Sequence, residues 1–166
     1  MTSFSVRPAN ASDAPAAVAL LRASITELCV ADHQNEPATL ARWLRNKTTE
    51  HFLEWLANPE GLIVVAEDAL GLSGVGSITR PGDLNLCYVR PGQQRVGVGR
   101  AMIAALEAQA ERWGVTEIRL SSSLGARTFY ERQGYVSSGD PTPAFGVRFN
   151  YPYVKRSFVP ATPDST

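Results

Sequence analysis

Residues 88–114 read YVRPGQQRVGVGRAMIAALEAQAERWG, and the middle of that stretch decides how the chain is read. An apolar strand ends near Pro91, and an amphipathic helix follows over about 99–113, with Met102, Leu106 and Trp113 on one face. Gly97 and Gly99 stand where that helix should begin. Glycine is unfavourable in a helix and useful where backbone must bend or approach something closely. A helix N-terminus displays four N–H groups without intrahelical partners and a partial positive charge, so it suits a phosphate. Glycine at 97 and 99 would let those groups come near one. There is no Gly-Lys-Ser/Thr, which excludes a P-loop, and Met102 stands where a dinucleotide fingerprint needs glycine or alanine. Glu117 lies at the distance of a ribose-binding acid but opens its strand instead of closing it. On spacing alone, a tight strand–helix turn with no ligand remains the alternative.

The flanking sequence alternates strands and helices. Before the glycine turn come LIVVAED (62–68), GLSG (71–74) read as a turn, VGSITR (75–80), the turn PGD and LNLCYV (84–89). After it come TEIRLS (116–121), a short helix GARTFYERQ (125–133) closed by Gly134, and late strands in YVSSG and FNYPYVKRSF. At the start, FSVRPA (4–9) reads as a strand, and Ser12 and Asp13 offer caps for a helix through 16–28. CVADHQNEPA (29–38) is broken, and two helical pieces follow at 39–48 and 49–58. This order predicts a mixed α/β chain: an antiparallel meander, then a crossover helix that sets the next strand parallel to the one before it.

The chain has 166 residues, which suits one domain with a real core. Sixteen basic and sixteen acidic residues cancel, so no bulk charge draws it to nucleic acid or an anionic membrane. Cys29 and Cys87 are the only cysteines, in no metal-like spacing, and the chain reads as a cytoplasmic protein without a disulfide framework. No signal peptide or membrane-length apolar run is visible. Residues 159–166 are expected to form a flexible tail.

Two linked motifs carry a resemblance. YVRPGQQRVGVGRAMI fits strand, x-Pro, Gln/Arg-x-x-Gly-x-Gly/Ala, helix; GARTFYERQGYV fits Ala-x-x-Phe-Tyr-x-x-x-Gly-Phe/Tyr about thirty residues later. Both resemble the GNAT superfamily of acetyl-CoA-dependent N-acetyltransferases, and VRPANASDAPAAVALL resembles its usual first strand and helix. The resemblance spans about 4–157 and is most specific over 86–135. It implies a single domain with a central mixed, mostly antiparallel sheet, a V-shaped splay and flanking helices.

It also implies roles. Gln94, Arg95, Val96, Gly97, Val98, Gly99 and Arg100 would hold the coenzyme A pyrophosphate. Cys87, Tyr88 and Val89 would border the pantetheine arm and the thioester, with a backbone N–H polarising the carbonyl. Tyr130 would protonate the departing thiolate. Ser123 stands where the family often has a coenzyme-contacting asparagine, and its shorter reach changes that contact. Phe129, Gly134 and Tyr135 read as packing and capping residues. Cys87 reads as a small buried hydrophobe, not an acyl-accepting thiol.

For the general base, Asp83, Asn85 and Glu67 lie on or near the central strands, while Asp32 and His33 lie in the broken segment where the superfamily builds its acceptor pocket. None stands out, and His33 reads foremost as a solvated loop histidine. Asp32, His33 and Asn85 are carried forward as pocket candidates. Cys29, Asp32, His33 and His51 match no common metal pattern, so no metal is expected. Trp43, Phe52 and Trp55 are either a lid or core filling, with core favoured for at least two. The expected activity is acetyl transfer from acetyl-CoA to a primary amine of a small molecule, by direct attack in a ternary complex. A lapsed coenzyme A-binding sensor and an acetylase of protein amines remain the alternatives. No nucleic-acid or membrane partner is expected, and a homodimer is left open.

Overall fold

The structure, a computed structural model, describes residues 3–94, 96–144 and 147–156. Arg95, expected at the phosphate turn, and the expected tail at 159–166 lie outside the described residues. Strand β1 (Ser5–Pro8) is followed by a single 3-10 turn (Ala11–Asp13) and helix α1 (Ala14–Leu28). Asn10, rather than Ser12, is the capping residue of that turn: its side chain accepts from the Ser12 N–H, and Asp13 Oδ2 accepts from the Asn10 N–H at 2.8 Å. Helices α2 (Val30–His33), α3 (Pro37–Leu44) and α4 (Thr49–Ala57) complete the N-terminal part.

The meander is β2 (Gly61–Asp68), β3 (Gly71–Thr79) and β4 (Asp83–Val89). Helix α5 (Val98–Arg112) crosses over to β5 (Glu117–Ser122), and α6 (Arg127–Arg132) precedes β6 (Val136–Ser137), β7 (Thr142–Ala144) and β8 (Val147–Arg156). Among the described residues the strand order is β1-β2-β3-β4-β5-β8-β6, with β7 pairing on β8. Only β4 and β5 are parallel neighbours; the other pairings are antiparallel. The expected mixed, mostly antiparallel sheet is therefore present.

The GLSG segment is strand, not turn; the hairpin between β2 and β3 turns at Ala69 and Leu70 instead. Its glycine has a packing reason. A Cβ on Gly74 would lie 2.7 Å from Met102 Cε and 2.8 Å from Val98 Cγ1, so α5 packs directly on a bare stretch of β3. Apolar side chains divide between the two faces. Val64, Ile78, Leu84, Met102, Leu106 and Tyr130 fill the α5 side. Leu21, Phe52, Val65, Val75 and Leu86 fill the α1–α4 side. Phe52 is fully buried and Trp55 packs against that cluster, so these two aromatics are core, as favoured. Among the described residues no helix is long and apolar enough to cross a membrane.

Candidate active site

The parallel strands β4 and β5 share one register pair, Asp83 with Arg119, and the Arg119 N–H donates to Gly82 C=O at 2.8 Å. Beyond this point they diverge, which is the expected V-shaped splay. A bulge in β4 then sets which side chains face which way. Leu86 pairs with Ser77 and Leu84 with Ile78, leaving Asn85 as the extra residue. Leu84 and Leu86 consequently enter opposite cores, and Cys87 and Val89 pack toward α5 while Tyr88 packs toward α1.

Backbone direction follows by alternation. The Arg90 N–H donates to Ser73 C=O across β3 at 2.9 Å. Strand period two then turns the Tyr88 N–H toward β3 and those of Cys87 and Val89 toward the gap. Of the three residues expected at the thioester, Cys87 and Val89 thus turn their main-chain N–H groups to the gap, and Tyr88 packs toward α1. Burial pushes the Cys87 thiol up to about 12, which keeps it neutral and fits a packing residue.

Tyr130 reaches the same gap from α6. Its position is set by a Schellman closure: Gly134 has φ +92°, its N–H donates to Glu131 C=O at 3.1 Å, and the Tyr135 N–H donates to Tyr130 C=O at 3.1 Å. The ring is 7% exposed and meets Phe129 at 5.1 Å and Tyr135 at 6.0 Å between centroids, both edge-on. Burial raises the phenol well above its ordinary value, and Cys87 and Tyr88 add to the shift, placing them within electrostatic reach.

The glycine turn leads from β4 into α5. Gly97 is the N-cap, left-handed at φ +89°, with open space where a Cβ would stand. It offers no side-chain cap, and among the described residues the first N–H groups of α5 have no acceptor, which leaves them open to a phosphate. The first turn carries no acidic residue, and Arg100 stands in it as an exposed cation against the helix dipole. That combination fits an anionic ligand. Gly99 also has a packing reason. Its Cβ would lie 3.0 Å from Phe129 Cζ, so it brings α5 against α6. Gln94 folds back, its Oε1 accepting from the Gly92 N–H at 2.8 Å, and shapes the turn. Val96 is exposed, whereas Val98 is buried in the core, leaving only its N–H for a ligand. Ser123 is half-buried after β5, on the opposite lip of the splay.

The base candidates separate clearly. Asp83 pairs with Arg119 at the closed end and Glu67 with Arg7, each at 3.1 Å. Asn85 is exposed and donates to Thr79 Oγ1 at 3.1 Å, away from the open end. His33 is 1% exposed, so it is not a solvated loop residue. Its Nε2 lies 3.0 Å from Ile25 C=O, and its Nδ1 accepts from the Asn35 N–H at 3.0 Å. Nε2 ties the end of α2 to α1, and Nδ1 holds the turn that follows α2. His51 Nδ1 likewise lies 2.7 Å from Thr48 Oγ1 at the start of α4.

Asp32 alone reaches the open end. It is 4% exposed, and its Oδ1 accepts from the Leu124 N–H at 2.7 Å, joining α2 to the β5–α6 loop. Its charge helps raise the Tyr88 phenol, whose shift comes first from burial; the Trp43 indole sits beside that hydroxyl. A cavity of about 220 Å³ lies here, lined by Ala31, Asp32, Gln34, Leu124, Phe149 and Tyr151. Apart from Asp32, no local signal in the sequence marks these residues, because they come from α2, a loop and β8.

Comparison with known proteins agrees with this geometry. A GCN5-related N-acetyltransferase from Rhodopseudomonas palustris, named as a class-II aminotransferase, superposes with a TM-score of 0.83 at 25% identity, covering 95% of this chain and 98% of that one. PaiA N-acetyltransferase from Thermoplasma acidophilum, solved with coenzyme A, gives 0.78 at 17% identity over 93% and 99%. Ribosomal-protein-alanine N-acetyltransferase from Brucella melitensis gives 0.70 at 20% identity over 92% and 99%. The latter two likenesses concern the fold alone. No curated protein matches the sequence. Residues 29–156 match the family described as acetyltransferase (GNAT) domain, most of the chain including both motifs and the splay, and the protein therefore belongs to the GNAT acetyltransferase family.

Proposed function

We propose that this protein is an N-acetyltransferase that moves acetyl from acetyl-CoA to a primary amine of a small molecule, by direct attack in a ternary complex. The observation that carries this reading is the splay, with an uncapped helix N-terminus following its β4 side and a buried tyrosine within reach of Cys87 and Tyr88 on that strand. Coenzyme A supplies the activated thioester, the thiol leaving group and a pyrophosphate for recognition. The N–H groups from Gly97 to Arg100 hold the pyrophosphate, and the Arg100 charge adds to them. Cys87 and Val89 bond to the pantetheine arm as a neighbouring strand would, and one of their N–H groups polarises the thioester carbonyl.

As the amine nitrogen bonds to the carbonyl carbon and the C–S bond breaks, the nitrogen releases a proton to solvent, Tyr130 delivers its own to the leaving sulfur, and solvent reprotonates the phenolate. Burial keeps the Tyr130 proton on the oxygen until an anionic sulfur forms; the same burial opposes phenolate and thiolate alike, so the transfer depends on proximity and comparable basicity. The size of the cavity at Asp32 favours a small amine over a protein tail. The test is release of coenzyme A thiol from acetyl-CoA against a panel of amines, for wild type and Tyr130→Phe. The variant should lose about 100-fold or more in kcat while coenzyme A still raises Tm. Unchanged turnover would remove Tyr130 from its role. Absence of any coenzyme A shift in wild type would overturn the whole reading.

A further inference from the structure

Among the described residues, Asp32 is the only carboxylate lining the cavity between α2, the β5–α6 loop and β8. One of its oxygens is committed to the Leu124 N–H, while Oδ2 is shielded from solvent and has no hydrogen-bond partner. No cationic side chain pairs with it among the described residues. A buried carboxylate oxygen without a donor is destabilising, and such groups persist where something outside the chain supplies the donor. Apart from Gln34, which is polar and exposed, the rest of the lining is apolar or aromatic. Leu124 is 38% exposed and Phe149 41%, and Tyr151 stands beside them with the Arg127 guanidinium 4.5 Å from its ring centroid. An anion among partly exposed apolar groups matches a cation carrying an apolar body.

We infer that Asp32 receives the ammonium group of the acceptor, and that the preferred acceptors are small primary amines bearing an apolar or aromatic group seated on Leu124, Phe149 and Tyr151. This rests on the acetyltransferase reading for its meaning, but the binding itself can be measured separately. The Asp32 charge also contributes to raising the Cys29 thiol and the Tyr88 phenol, so an ammonium held there would lie within electrostatic reach of the β4 end of the splay.

The experiment is calorimetric titration with 2-phenylethylammonium and with 2-phenylethanol, which has the same shape and no charge, with and without coenzyme A. Wild type should bind the ammonium at least about ten-fold more tightly than the alcohol. Asp32→Asn keeps an oxygen for the Leu124 N–H and should bring the two probes within about two-fold. Phe149→Ala should weaken both probes together and retain the preference. A purely structural role for Asp32 would not move the ratio between the probes. No preference in wild type, a preference that survives in Asp32→Asn, or no measurable binding of either probe would each overturn the inference. Thermal shift by coenzyme A on the same samples reports on the acetyltransferase reading alone, so the two failures are distinguishable.

Discussion

Gly99→Ala isolates the purpose of the second glycine in the turn. Position 99 is helical, so alanine should gain about 0.8–1 kcal/mol from helix propensity. Against this, the new Cβ would stand 3.0 Å from Phe129 Cζ and 3.2 Å from Cε1, both tighter than ordinary contact. Overpacking of this kind costs about 1–3 kcal/mol, and the half-buried Phe129 can yield part of it. The net expectation is a loss of about 1 kcal/mol. In a Phe129→Leu background the ring edge is gone, and the same substitution should become neutral or stabilise by up to about 1 kcal/mol. Urea unfolding of the four proteins gives the coupling, provided m stays constant. Gly97→Ala serves as the control: nothing lies within 4 Å, yet φ is +89°, so alanine should cost about 1–2 kcal/mol in either background. Equal effects of Gly99→Ala in both backgrounds, within about 0.5 kcal/mol, would show that Phe129 is not what requires glycine there. Coenzyme A binding on the same proteins then separates packing from ligand approach, since only a phosphate-contacting role predicts weaker binding once Phe129 is relieved.

Asp13 is bidentate to Arg7 at 2.8 and 2.9 Å, and the hydrogen bonds from Arg7 hold its carboxyl below the ordinary carboxylate range. A depressed folded value stabilises above the unfolded value of about 3.9 and loses that contribution as pH falls through the folded one. Asp13→Asn should therefore lower Tm at pH 7, with the gap to wild type shrinking as the pH drops below about 4; a gap that stays constant would contradict the pairing. Ser73 is fully buried in β3, and its hydroxyl has no partner among the described residues. Removing a buried unsatisfied hydroxyl relieves part of a penalty of about 1–3 kcal/mol, so Ser73→Ala should be neutral or modestly stabilising in urea unfolding. A loss above about 1 kcal/mol would reveal a partner for that hydroxyl.

The strands, the crossover helix and the two motifs were legible in the sequence because each depends on local pattern. Period-two runs such as LIVVAED, the amphipathic face of α5 and the glycine that closes α6 all signal themselves within a few residues. What local pattern could not supply was the partner across space. Gly74 within GLSG looks like a turn residue until α5 is laid on β3, and the packing demand on Gly99 does not show until Phe129 of α6 meets it. His33 looks like a loop histidine until its ring is seen to tie α2 to α1. Asp32 was one unremarkable acid among several, since the N–H it accepts from is 92 residues away and its cavity is assembled from three separate elements. Chain-local rules determine which elements form and what a helix terminus can bind. Burial, the direction of each strand edge and the pairing or isolation of a charge depend on distant segments meeting, and only the tertiary structure decides them.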